Sequence, residues 1–181
     1  MNLPQRLLAL DEALARADLP HAFGGAIALA YWTEEPRGTR DLDVNVFVPV
    51  ADAAVVLRAL PRGVAVAESD EAALARDGQA RLWWDDTPVA LFLDYDPIHH
   101  AAAEHRQAVP FQGRTIPVLG PVELGVFKAL FDRTKDWADI EAMRDAQTLD
   151  LAHLRLLLVG MIGEDDPRIA RVDALRAHPD E

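Results

Sequence analysis

Apolar residues recur along this chain with two periods, and the change between them divides it. Over residues 3 to 18, Leu3, Leu7, Leu10 and Leu14 fall at three- and four-residue steps, a helical stripe widened by Leu8 and Ala15. Asp11, Glu12, Arg16 and Asp18 lie largely outside it, and Pro20 is the expected stop. From Leu42 to Val48 the period becomes two, with Leu42, Val44, Val46 and Val48 set against Asp41, Asp43, Asn45 and Phe47. Around this strand the pattern predicts a short strand and turn over His21 to Gly25 and a helix from Ala26 to Trp32. A helix over Ala51 to Leu60, a short strand over Val64 to Ala67 and a helix opening at Ser69 follow. QARLWW and PVALFLDY read as strands joined at Asp85-Asp86-Thr87, and AVPFQGRTIPVL as a hairpin turning at Gln112-Gly113. From Pro121 the pattern is helical. Val122, Val126, Phe127, Leu130 and Phe131 form one apolar face, and the next helix has a polar face with Asp136 and Asp139 and an apolar one with Ile140 and Met143. LAHLRLLLVGMI, capped by Asp150, and a last helix from Pro167 to Ala177 complete the chain. The expected class is α/β (α+β). A body over residues 1–120, with a mixed sheet of about five strands, carries a helical portion over 121–181 in a single compact unit.

At 181 residues, half of them hydrophobic, the chain can bury a substantial core. It has no cysteine, so disulfides and thiol chemistry are excluded. Acids interrupt the amphipathic first helix, which does not read as a signal peptide, and no apolar run is long enough to cross a bilayer. The expectation is a soluble, cytoplasmic protein with no membrane partner. A formal net charge of −12 opposes strong nonspecific nucleic-acid binding, though not an RNA substrate touched by a local arginine patch.

The chemistry concentrates between Phe23 and Phe47. Asp41 and Asp43 share a face at the start of the period-two strand, and paired carboxylates are costly unless a cation sits between them. Oxygen ligands are what Mg²⁺ takes. Gly24-Gly25 stands at a strand-to-helix turn, where close backbone approach and a helix N-terminus suit an anion. Phosphate beside a carboxylate-bound magnesium is the layout of a nucleoside triphosphate site.

Gly24-Gly25, the arginine and threonine of RGTRDLD, and Asp41-x-Asp43 resemble the first motif of the DNA polymerase β-type nucleotidyltransferase superfamily. Within it the match is to small prokaryotic members, the AbiEii-like toxins and the minimal nucleotidyltransferases. Glu123 to Lys128, followed by FDRTKDWADIEAM, resembles the family's E-x4-K segment and the helix after it, so the likeness spans about residues 20 to 145. The resemblance implies transfer of a nucleoside monophosphate from an NTP, with Mg²⁺ or Mn²⁺, to a hydroxyl on RNA (tRNA among them) or protein. Asp41 and Asp43 would hold metal, Gly24, Gly25 and Arg40 nucleotide, and Lys128 the triphosphate. Arg37 is a weaker candidate of the same kind, and a cognate toxin or antitoxin protein is an implied partner. Asp136 and Asp139 are expected to pair with Arg133, Lys135 or Lys128 and so hold the basic group in place.

One position departs from the family pattern. Its third carboxylate is expected in Val89-Ala90-Leu91, where Ala90 stands. Asp94 shares that face but lies about 13 Å further along a strand, and Asp96 further still. An acid removed by design, a natural inactive homologue, and a shifted site using Asp94 are the open explanations. The corresponding alternative function is a catalytically silent module that binds a nucleotide or a partner; a third possibility is transfer to a small molecule such as an antibiotic. His100 and Glu104, at helical i,i+4 spacing, make a two-ligand metal signal too weak to carry a site. Of Trp83 and Trp84, one is expected in the core and the other at a surface.

Overall fold

A computed structural model describes residues 1–33 and 38–177. The chain divides into two compact units, residues 1–27 with 38–119, and residues 28–37 with 120–181.

The first unit is built on a seven-stranded mixed sheet of order β3-β4-β5-β2-β1-β7-β6. Its strands are β1 (His21–Phe23), β2 (Leu42–Pro49), β3 (Val64–Ala65), β4 (Gln79–Trp84), β5 (Thr87–Asp94), β6 (Gln107–Phe111) and β7 (Arg114–Val118). Seven strands exceed the expected five; the two-residue β3 ends this sheet at one edge and the β6–β7 hairpin at the other. Phe23 pairs with Val118 in parallel, a contact far apart in sequence that local alternation does not encode. At the centre β2 and β5 run parallel, and Leu42, Val44, Val46, Val89, Leu91 and Leu93 are fully buried on one face.

Helix α1 (Leu3–Arg16) buries Leu7, Leu10 and Leu14. Asn2 and Gln5 cap it reciprocally, each side chain accepting the other's backbone N–H at 3.0 Å. The helix ends before Pro20, with Asp18 at φ 57° turning the chain. Arg6 on its buried side bonds Asp85 at 2.7 Å and Asp86 at 2.9 Å, and also Thr87. That clamp fixes the two-residue β4–β5 turn and with it the register of the hairpin. Helices α3 (Ala53–Ala59), α4 (Glu68–Asp77) and α5 (Ile98–His105) complete this unit. Asp70, and not Ser69, caps α4, by accepting from the Ala67 N–H at 2.8 Å.

Helix α2 (Gly25–Trp32) begins in the first unit and continues into the second, which holds α6 (Pro121–Phe131), α7 (Thr134–Asp145), α8 (Leu151–Ile162) and α9 (Pro167–Ala177). On α6 the expected apolar face is rotated. Leu124, Val126 and Ala129 are buried with Glu123 and Lys128, whereas Phe131 is exposed and covered in part by the Arg133 guanidinium, 4.9 Å from its ring centre. The rotation follows from Gly125, where a methyl group would meet Leu149 and Leu154 at 3.3 Å, so α6 lies with its smallest residue against these side chains. Lys128 Nζ bonds Asp139 at 2.6 Å and stands 3.9 Å from Asp136, which Arg133 holds at 2.6 Å.

Because both members of the Lys128–Asp139 pair are buried, removing one strands the other. Lys128→Met is therefore expected to cost about 3–5 kcal/mol in urea unfolding, and adding Asp139→Leu to recover most of that loss. A loss below about 1 kcal/mol for the single variant, the size of an exposed pair, would contradict the buried bridge.

Candidate functional site

Asp41 lies one residue before β2 and Asp43 is its second residue. Thr39 sets the approach, its hydroxyl accepting from the Asp41 N–H at 3.1 Å. That gives the threonine of RGTRDLD a local, backbone-ordering part. Downstream on the same face Asn45 is buried, whereas Asp43 remains partly accessible.

The glycine pair is built around Asp43. The Gly24 N–H donates to the Asp43 carbonyl at 2.9 Å, carrying the β1–β2 pairing one residue further before α2 begins. Gly25 adopts φ +51°, and a methyl group there would fall 1.9 Å from Asp43 Oδ2. Both facts demand glycine. The Asp43 carboxylate thus sits against the first residue of α2, where the positive end of the helix dipole favours an anion. The close approach expected for a phosphate is made here by a side chain of the protein itself.

Pairing places Asp43 beside Ala90 on parallel β5, and Ala90 beside Arg81 on antiparallel β4. Asp43, Ala90 and Arg81 form one row across three neighbouring strands. The site expected for a third acid is therefore next to Asp43, and it carries a methyl group. Arg81, exposed like Trp83 two residues on, spans the gap, with Nη2 3.7 Å from Asp41 Oδ2. Its guanidinium carbon is 5.6 Å from the centre of the Trp83 ring. Trp84 is buried, so the two tryptophans divide between core and surface as expected.

The remaining candidates fall elsewhere. Asp94 pairs with Pro49 at the far end of β2, past an irregularity in register, and lies 3.4 Å from His100 Nε2. The shifted-site explanation fails on this geometry. Asp96 accepts from the Ile98 N–H at 3.2 Å and so orders the start of α5. His100 faces Asp94, and among the described residues His100 and Glu104 are joined by no third metal ligand. Arg40 is exposed beside Asp41 in sequence, and Arg37 lies outside the described residues. Lys128 belongs to the second unit, its amine bonded to Asp139.

Sequence reasoning passed over Arg81, although the signal was present. A two-residue turn at Asp85-Asp86 pairs Trp84 with Thr87, and three steps further back pairs Arg81 with Ala90.

Among the described residues no group of three His, Cys, Asp or Glu side chains is placed to hold a metal ion. Two carboxylates fit one divalent ion that brings further oxygens from phosphate and water. With a methyl group in the third position and a guanidinium beside Asp41, these residues do not fit a two-ion centre.

No protein-family model matches the sequence, and no curated protein does. Solved structures do match. ANT(2'')-Ia, in complex with adenylyl-2''-tobramycin, is 13% identical over 97% of each chain, with a TM-score of 0.63. The lincosamide antibiotic adenylyltransferase LnuA, bound to lincomycin, is 12% identical over 78% of this chain and 96% of its own, with a TM-score of 0.54. An antigenic nucleotidyltransferase-like protein from Paracoccidioides brasiliensis is 15% identical over 96% of this chain and 87% of its own, with a TM-score of 0.51. The chain has the nucleotidyltransferase fold. Among the described residues no helix is long and apolar enough to cross a membrane.

Gly25→Ala combines a left-handed backbone with a collision at Asp43, and is expected to lower unfolding free energy by at least about 2 kcal/mol. Gly38→Ala, where an added methyl meets nothing within 4 Å, should change it by less than about 0.5 kcal/mol. Equal effects in urea titrations of the two variants would contradict the close approach of α2 to Asp43.

Proposed function

We propose that this protein binds a magnesium-complexed nucleoside triphosphate at Asp41 and Asp43 and transfers its nucleoside monophosphate, slowly, to an acceptor hydroxyl. The observation that carries the reading is the placement of both carboxylates at the head of the central strand, with Asp43 against the glycine that opens α2. Gly24, Gly25 and Arg40 lie close in sequence to that point and are assigned to the nucleotide. In the reaction an acceptor oxygen attacks the α-phosphorus, the bond to the β-phosphate oxygen breaks, and pyrophosphate leaves. A bound Mg²⁺ or Mn²⁺ would neutralise charge on the phosphates. Ala90 offers no carboxylate to draw the hydroxyl proton, which must pass to solvent, and slow transfer follows.

Likeness over nearly the whole length of ANT(2'')-Ia favours a small hydroxylated acceptor. Transfer to RNA or protein, with a cognate toxin or antitoxin partner, rests on the sequence resemblance. Ala90 and the Asp41–Arg81 ion pair favour a second reading, a nucleotide-binding module without transfer.

Calorimetric titration with Mg-ATP and Mg-GTP is expected to show binding that Asp41→Asn and Asp43→Asn each weaken at least about tenfold, the scale of losing one charge-assisted contact. Labelled α-phosphate should then pass to acceptors in a mixture of aminoglycosides, RNA and protein. Binding without label transfer would select the silent module. No binding of either nucleotide would overturn the reading.

A further inference from the structure

We infer that Arg81 makes the carboxylate pair selective for a metal ion that arrives already bound to a polyphosphate. The inference rests on the reading of Asp41 and Asp43 as the metal-binding pair. Three observations lead to it. The register places Arg81 in the same cross-strand row as Ala90 and Asp43, at the position nearest to where a third acid would project. The alanine leaves the lane between β4 and β2 open, and Arg81 uses it to bring Nη2 within 3.7 Å of Asp41 Oδ2. At that distance the pair is electrostatic and short of a hydrogen bond, and the Arg81 side chain retains 60% of its exposure. The guanidinium is therefore near enough to repel a bare divalent ion and free enough to swing away.

These two properties act in opposite directions on two ligands. A free cation approaching Asp41 meets a unit positive charge already facing that carboxylate. A cation carried on a nucleotide brings phosphate oxygens with it, and a guanidinium takes such oxygens bidentately. Arg81 then exchanges Asp41 for phosphate as the ion takes Asp41, so the charge that excludes the bare ion helps to hold the complex. An acid at position 90 would abolish the device, because it would lie between Arg81 and Asp41 and capture the guanidinium first. Ala90 and Arg81 form one arrangement in this view: the residue that removes a metal ligand also frees a cation to guard the two that remain.

The test compares binding of Mn²⁺ alone, followed by the paramagnetic signal of the free ion, with binding of Mn-ATP by calorimetry. The proteins are the unaltered chain, Arg81→Gln, Arg81→Lys, and Arg81→Gln with Asp41→Asn. Arg81→Gln is expected to bind Mn²⁺ about tenfold more tightly, the effect of removing a unit charge roughly 6 Å from a divalent ion in a water-like dielectric. The same variant should bind Mn-ATP several-fold more weakly. Arg81→Lys, keeping the charge, should remain close to the unaltered chain for Mn²⁺, and Asp41→Asn should erase the gain. If Mn-ATP binds but Arg81→Gln moves both ligands in one direction, or moves neither, the inference about Arg81 fails and the nucleotide-site reading stands. If no protein in the set binds Mn²⁺ or Mn-ATP, both fail.

Discussion

Two carboxylates held two residues apart at the head of a central strand repel each other, and the surrounding structure supplies positive potential to each. Asp43 receives it from the first turn of α2, brought so close that only glycine fits at position 25. Asp41 receives it from Arg81, two strands away in the sheet. The glycine pair, the sharp passage from β1 to α2 and the open lane over Ala90 all follow from keeping this pair together. A fold with no use for paired negative charge would gain by losing either aspartate.

Register decides which side chains surround this pair. Parallel pairing of β2 with β5 sets Ala90 beside Asp43, and the two-residue turn held by Arg6 sets Arg81 beside Ala90. A slip of one residue in the β4–β5 hairpin would send Arg81 to the opposite face. The clamp of the buried Arg6 on the exposed Asp85 and Asp86 thus acts on this row at a distance, by fixing which residues share it. The same register removes Asp94 from consideration, since it ends up beside Pro49.

Much of this was legible in the sequence, and the gaps have physical causes. Strict alternation around Asp41 and Asp43 gave the central strand and its two faces, because side-chain direction in a strand is a local property. Gly24-Gly25 marks a turn that needs glycine, but its nearness to Asp43 is not written locally, because the distance from Gly25 to Asp43 depends on β1 and β2 being neighbours. Sheet membership of the β6–β7 hairpin was invisible for the same reason, since Phe23 and Val118 meet only through long-range pairing. On α6 the aromatic residues suggested the wrong buried face, because packing followed the small surface of Gly125 and the buried Lys128–Asp139 pair. The placement of Arg81 is legible in the sequence only when strand and turn are taken together, since the two-residue turn sets it beside Ala90.

On the proposed function, a nucleotide-borne metal sits at the head of β2. Two-dimensional amide spectra of the isotope-labelled chain, recorded while Mn-ATP is added in small steps against a Mg-ATP control, test it most directly. Paramagnetic broadening should be strongest at Gly25, Asp41, Asp43 and Ala90, with the Asp94 to His100 segment retaining its intensity. Broadening centred on Asp94 and His100, or spread evenly over the acidic surface, would contradict the claim.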